Sequence, residues 1–175
     1  MGQYYKPVVE IDNKITVYNR DIDGEYTMAK LMEHSWCGNP LCMAISKMFY
    51  QTKGKLAWIG DYSEDKGFLP DWDAVWREDG EGLAEIEFTL KGKYIVNHNK
   101  EIYIDFNKYE KASTKDGWCI FPLSLLTACG NGYGGGDYSG TCMEYIGTWA
   151  WDTISIEDEK PAGYKEIEIQ FIERY

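Results

Sequence analysis

Only one long stretch of this chain, residues 40–52, reads with a helical apolar period; most other apolar runs are short and closed by Gly, Asn or Asp. That contrast confines the fold. Short runs punctuated by turn residues build strands joined by tight connections, and without a repeating strand–helix–strand rhythm they do not wind a parallel sheet. Residues 3–11 and 14–19 flank Asp12-Asn13, the pattern of a hairpin closed by a two-residue turn. Residues 56–59 form a short apolar strand. Residues 84–90, 93–97 and 101–106 form a meander, its last two strands joined through His98-Asn99. Residues 118–121, 143–151, 153–157 and 166–173 supply the remaining strands. In the last of these, Glu166-Ile167-Glu168-Ile169-Gln170-Phe171 alternates polar and apolar, so one face is buried. Residues 28–34 fit either strand or helix and are read as strand.

Gly38-Asn39-Pro40 announces the helix, with Asn39 as N-cap and Pro40 as its first residue. Leu41, Ile45, Met48 and Phe49 then fall on one face, and Gly54 closes it. A short helix is expected over residues 71–77, and a helical turn over 123–129 opened by Pro122 with Leu125 and Leu126 facing inward. Residues 108–117 are read as a polar loop and 130–140 as a glycine loop. The chain has 175 residues, 44% of them apolar and 15% aromatic, which excludes disorder. A domain of that size withdraws roughly 70% of its unfolded surface from water. The expectation is one α+β domain over residues 1–175, with a largely antiparallel sheet, one main helix at about 40–52 and short helical turns. No apolar run approaches the roughly 20 residues of a membrane helix, and the start lacks a basic-then-apolar signal. A cytosolic location without membrane contact is expected.

Charge is unevenly placed. The net charge is -11, yet residues 61–87 alone hold ten acidic and two basic side chains. Such a surface repels phosphates and attracts basic protein grooves. One reading is a solvated face that serves solubility. The other is a face that competes with nucleic acid for a basic partner. The interleaved Trp72 and Trp76 argue for the second, because interfaces enrich aromatics. The partner-binding candidates are therefore Asp61, Glu64, Asp65, Asp71, Trp72, Asp73, Trp76, Glu78, Asp79 and Glu81.

Cys37, Cys42, Cys119, Cys129 and Cys142 are odd in number and follow no export signal, so reduced thiols are the expected state. His34, Cys37 and Cys42 lack a clear fourth zinc ligand. Asn19, Asp21, Asp23 and Gly24 match half a calcium loop, but Lys30 stands where its closing Glu is required. Gly130-Asn131-Gly132-Tyr133-Gly134-Gly135 satisfies the dinucleotide fingerprint in letters only, since a helix precedes it and a strand follows. Five glycines in seven residues imply a close approach of backbone to another chain segment or a ligand, with Asp137 and Tyr138 at the rim. None of these motifs calls for a metal or cofactor.

The two histidines, His34 and His98, are the catalytic candidates, together with Asp137. Two imidazoles could act as acid and base on a nucleotide or phosphodiester, with Lys30 or Lys100 stabilising developing charge. A Cys37–His34 thiol pair is the weaker variant. The many Tyr and Trp residues suit core packing better than a nucleic-acid platform, which would need a basic groove.

Four segments, Met1-Gly2-Gln3-Tyr4-Tyr5-Lys6, Lys30-Leu31-Met32-Glu33-His34-Ser35, Gly60-Asp61-Tyr62 and the run from Gly130 to Tyr138, carry a wider likeness. Asn97-His98 and Ile146-Gly147-Thr148-Trp149 extend it. Together they resemble a group of uncharacterised small proteins carried by phages and mobile elements of Gram-positive and gut bacteria. The resemblance implies context and no residue roles: an accessory gene acting in the bacterial host cytosol. Genes of that kind often encode inhibitors of host defence, including acidic anti-CRISPR proteins that occupy nucleic-acid grooves. The resulting expectation is a non-enzymatic inhibitor of a basic host protein such as a CRISPR effector nuclease, with no direct binding to nucleic acid.

Overall fold

The computed structural model describes residues 1–21, 26–27, 29–77, 80–84, 86–114 and 118–173. In chain order, β1 (Tyr5–Ile11) and β2 (Lys14–Val17) form the first hairpin, and β3 (Arg20–Asp21) pairs with β4 (Tyr26–Thr27) as a separate ribbon. Then come α1 (Leu31–His34), α2 (Pro40–Met48), β5 (Gly54–Gly60) and α3 (Trp72–Arg77). They are followed by β6 (Tyr94–Asn97), β7 (Ile102–Asp105), α4 (Phe106–Ser113), α5 (Pro122–Leu126) and β8 (Ala128–Cys129). A 3-10 turn at Met143–Tyr145, β9 (Thr153–Glu157) and β10 (Lys165–Glu166) complete the chain.

The main sheet has eight strands in the order β10-β7-β6-β9-β5-β1-β2, with β8 also beside β5. It is mostly antiparallel, as expected; β10 on β7 and β8 on β5 are the parallel pairs. Strand β5 organises it. One edge of β5 carries β1, from Tyr5↔Gly60 to Glu10↔Lys55. The other is shared: Gly54 and Lys55 pair with β9, and Trp58 and Ile59 with β8. Gly54 begins this strand instead of closing α2, and a Cβ there would lie 2.7 Å from the Glu10 carbonyl and 2.9 Å from the Phe49 ring.

Period-two alternation divides the apolar residues of β1 and β5 between two cores. Val9, Leu56 and Trp58 face the larger one, with Leu41, Ile45 and Phe49 of the α2 segment and Leu123, Leu125 and Leu126 of the α5 segment. Val8, Ala57 and Ile59 face a smaller one with Val17, Leu69, Trp72 and Cys129. Both faces of β5 are thus covered, which is why residues 56–59 read as an uninterrupted apolar run. No helix among the described residues is long and apolar enough to cross a membrane.

Local chemistry accounts for the best-read elements. Asp12 and Asn13 adopt φ of 52° and 61°, the left-handed turn these short polar residues tolerate. The Asn39 side chain accepts from the Leu41 and Cys42 amides at 2.9 and 3.4 Å, with Pro40 behind it. Leu41, Ile45 and Phe49 are buried and Met48 sits on the rim.

Five segments depart from expectation. Residues 31–34 are helical, because the His34 ring folds back to accept the Lys30 amide at 2.9 Å. Residues 106–113, read largely as loop, form α4: Asp105 accepts from the Asn107 amide at 3.0 Å, and Phe106, Tyr109 and Ser113 bury one stripe. The dense polar residues between them masked that stripe. Residues 84–90 join no ladder among those described, though Leu90 is buried and Phe88 packs on Tyr50. Residues 143–151 are turns, broken by positive φ at Cys142, Gly147 and Trp151. Among the described residues, 118–121 form isolated bridges, Trp36↔Ile120 included, and no named strand. After β10 the C-terminal run keeps its expected alternation, Ile169 and Phe171 inward, with little ladder pairing.

Candidate functional site

Whereas Leu83 and Ile86 pack on the larger core, the first part of the acidic stretch, residues 61–77, forms the outer layer over the smaller one. Leu69 and Trp72 are buried there, with Phe68 and Val75 packed beside them. Phe68 meets Trp72 edge-on at 5.6 Å and stacks on Trp151 at 5.4 Å and 13°. Within α3, Trp72 and Val75 turn down at a helical spacing that leaves Asp73 outward, and Phe68 and Leu69 reach the same core from the bend before the helix. Trp72, 7% exposed, therefore holds this layer to the sheet. Its area is already withdrawn from water and is not available to anchor a partner. Phe68 and Trp151, which hold the layer with it, were missed in the sequence; only the spacing of 68, 72 and 75 hinted at the first.

The carboxylates divide by role. Asp61 is half-buried and accepts the Tyr4 amide at 3.1 Å. Asp65 accepts the Gly67 amide at 2.7 Å, and Asp71 accepts the Ala74 amide at 2.9 Å across the first turn of α3. Glu64 and Asp73 are exposed, as is Glu81, whose Lys14 partner stands off at 3.9 Å. That loose pair is the one ion pair this stretch makes among the described residues. Glu78, Asp79 and the Trp76 side chain lie outside the described residues, as do residues 22–25 of the half calcium loop.

The glycine loop has an internal function. Three successive amides, Gly132, Tyr133 and Gly134, donate to Asp137 Oδ2 at 2.8, 3.0 and 3.0 Å. Such a nest of N–H groups is an anion site, and here the anion is the chain's own carboxylate. Asp137 Oδ1 accepts from the Tyr5 hydroxyl at 2.7 Å. Burial, with that carboxylate next to it, pushes the Tyr5 phenol far above its ordinary range, so it stays a donor. Gly135 bonds Gln3 and Met1 through its carbonyl and amide at 2.9 and 3.0 Å. A Cβ on Gly134 would lie 2.5 Å from that of Gln3, so the glycines serve close packing of the N-terminus.

The three catalytic candidates do not converge. Tyr5, and with it Asp137, stands at the Gly60 end of β5. His98 stands at the other end, its amide on the Thr153 carbonyl, where Thr153 pairs with Lys55. Five residues of strand separate those registers, about 16 Å. His34 lies on the Asp137 side, since the Met32 amide donates to the Gly136 carbonyl at 3.0 Å, and its Nδ1 is engaged by Lys30. Among the described residues no three His, Cys, Asp or Glu are arranged to hold a metal ion.

His98 has its own network. Nε2 lies 2.8 Å from Ser155 Oγ, and Nδ1 lies 3.1 Å from the Tyr164 hydroxyl. Ser155 donates its proton to Glu157 at 2.6 Å and is fully buried, so it is no nucleophile. Nε2–H donates to Ser155, and Nδ1 accepts from Tyr164. Burial, then the Lys53 charge, lowers the His98 pKa, against a smaller opposing effect of Glu157. The fold favours the neutral ring. Its contribution to stability is therefore full above the unfolded value of about 6.5 and is lost as pH falls from there toward the folded value. Urea midpoints between pH 7.5 and 5 should fall more steeply for the wild type than for His98→Gln; equal slopes would refute this assignment.

Near the glycine loop a cleft of about 430 Å³ is lined by Lys66, Phe68, Asn131, Tyr133 and Ile146, among others. It adjoins the acidic layer through Lys66 and Phe68, and Tyr133 is 52% exposed. Comparison with protein-family models, curated proteins and solved structures finds no match to this chain.

Proposed function

We propose that this protein acts by binding: the acidic face of residues 61–77, with Glu81, enters a basic groove of a host protein that handles nucleic acid and takes the place of phosphates. The observation that carries this reading is the layer's construction. Phe68, Leu69, Trp72 and Val75 are spent on the sheet, while Glu64, Asp65, Asp71, Asp73 and Glu81 face solvent. Groups held on a packed layer present charge at little further cost in ordering. On the resemblance to phage and mobile-element proteins, the partner in this reading is a host defence enzyme, with a CRISPR effector nuclease as the leading example. The rival reading, a small enzyme acting on a nucleotide or phosphodiester, has no convergent group to rest on, since His98 and Asp137 occupy opposite ends of β5.

The test is affinity capture from phage-infected host cells. The bait should retain basic nucleic-acid-binding proteins and release them at high salt, because exposed charges are screened within about 8–10 Å. Glu64→Lys with Asp73→Lys, chosen because neither caps a helix or turn, should weaken binding about tenfold or more, chiefly by slowing association. Its melting temperature should stay close to that of the wild type. Capture that survives the double reversal in a folded protein would sink the proposal.

A further inference from the structure

We propose that Cys37 and Cys119 are a redox-active pair that closes into a disulfide when the protein meets a peroxide. The backbone sets them opposite one another. Around the Trp36↔Ile120 bridge, the Cys37 amide donates to the Cys119 carbonyl at 2.7 Å and the Phe121 amide to the Ser35 carbonyl at 2.8 Å. The two sulfurs are in contact at 2.9 Å. Cys37 is half-buried and Cys119 is 7% exposed, so a small oxidant reaches the pair where a bulky one is hindered. Cys42 and Cys129 are buried, and Cys142 is half-buried.

Either sulfur can donate to the other, so the contact supports attack from either side. One of the two, as thiolate, attacks one peroxide oxygen; the O–O bond breaks, and the departing hydroxide takes a proton to become water, leaving a sulfenic acid. The other sulfur attacks that sulfur; the S–O bond breaks, and hydroxide leaves with the second thiol's proton as a second water. Two thiols and one hydrogen peroxide thus give one disulfide and two waters, with two electrons passing from sulfur to peroxide.

The bond would join positions 82 residues apart and tie the segment before α2 to the segment before α5. A cross-link over so long a loop strongly constrains the unfolded chain. The indoles of Trp36 and Trp118 lie 5.3 Å apart beside the pair, and Trp118 is 40% exposed, so closure has an optical reporter.

The experiment treats the full chain with hydrogen peroxide and counts alkylatable thiols after unfolding. The five thiols should fall by two. Peptide mapping should link residues 37 and 119, tryptophan emission should change, and the melting temperature should rise by roughly 10 °C until a dithiol reductant reverses it. Cys37→Ser and Cys119→Ser should each abolish the cross-link, whereas Cys142→Ser should retain it. Five thiols remaining after treatment, a link between any other pair, or a link that persists in Cys37→Ser would overturn the proposal. Mapping the untreated-versus-treated wild type decides the matter even where a serine variant fails to fold.

Discussion

Asp137→Ala is expected to destabilise the protein by about 3 kcal/mol, measured as a shift in urea unfolding. The carboxylate accepts from the Gly132, Tyr133 and Gly134 amides and from the Tyr5 hydroxyl. A hydrogen bond to a charged group contributes about 1.5–3 kcal/mol, and a buried donor left unsatisfied costs about 1–3. The four do not simply add. Gly132 and Tyr133 are exposed and can turn to water. The loss concentrates on Tyr5, which is 1% exposed, and on Gly134 against the N-terminus. Asp137→Asn keeps one acceptor oxygen and should fall between the alanine variant and the wild type. The amides of Gln3 and Gly135, bonded to one another's segments, should exchange faster in both variants. A loss below about half a kcal/mol would mean that the nest does not hold the loop.

Phe49→Ala should cost about 3–5 kcal/mol, the range for a buried aromatic removed from a core. Phe49 is fully buried, its ring lies against the Gly54 backbone, and its carbonyl accepts the Ile156 amide at 2.8 Å. It therefore joins the end of α2 to both β5 and β9. Truncation opens a cavity that the backbone cannot close, because the ladder between β5 and β9 fixes its far wall. Met48→Ala, on the half-buried rim of the same helix, should cost clearly less. Equal losses at the two positions would show the buried face of α2 to be misassigned.

Trp72 shows how a residue legible as aromatic and acidic-flanked changes meaning once packing is known. Its neighbours Asp71 and Asp73 made it a candidate contact; Phe68, Leu69 and Val75 place it in the smaller core. The outward carboxylates keep their candidacy because the same spacing that turns Trp72 down turns them up. For α4 the lesson is the reverse. Phe106, Tyr109 and Ser113 carry its period, but the stripe is narrow, and its burial depends on partners such as the Ile120 carbonyl, which accepts the Tyr109 hydroxyl at 2.6 Å.

What this sequence determined by itself is what neighbouring residues can decide. Asp12-Asn13 turns because both residues tolerate a left-handed backbone, Asn39-Pro40 starts a helix because one caps and the other has no amide to satisfy, and period-two alternation chose the inward face at Ile169 and Phe171. The net charge of the 61–87 stretch is equally a property of the sequence. The tertiary structure decided everything that needed distant segments to meet. The Tyr5–Asp137 bond spans 132 positions, and the Cys37–Cys119 contact spans 82. No local rule reports such pairs, since chain connectivity does not constrain which distant groups meet; the register of β1, β5 and β9 does, and it set His98 and Asp137 at opposite ends of one strand.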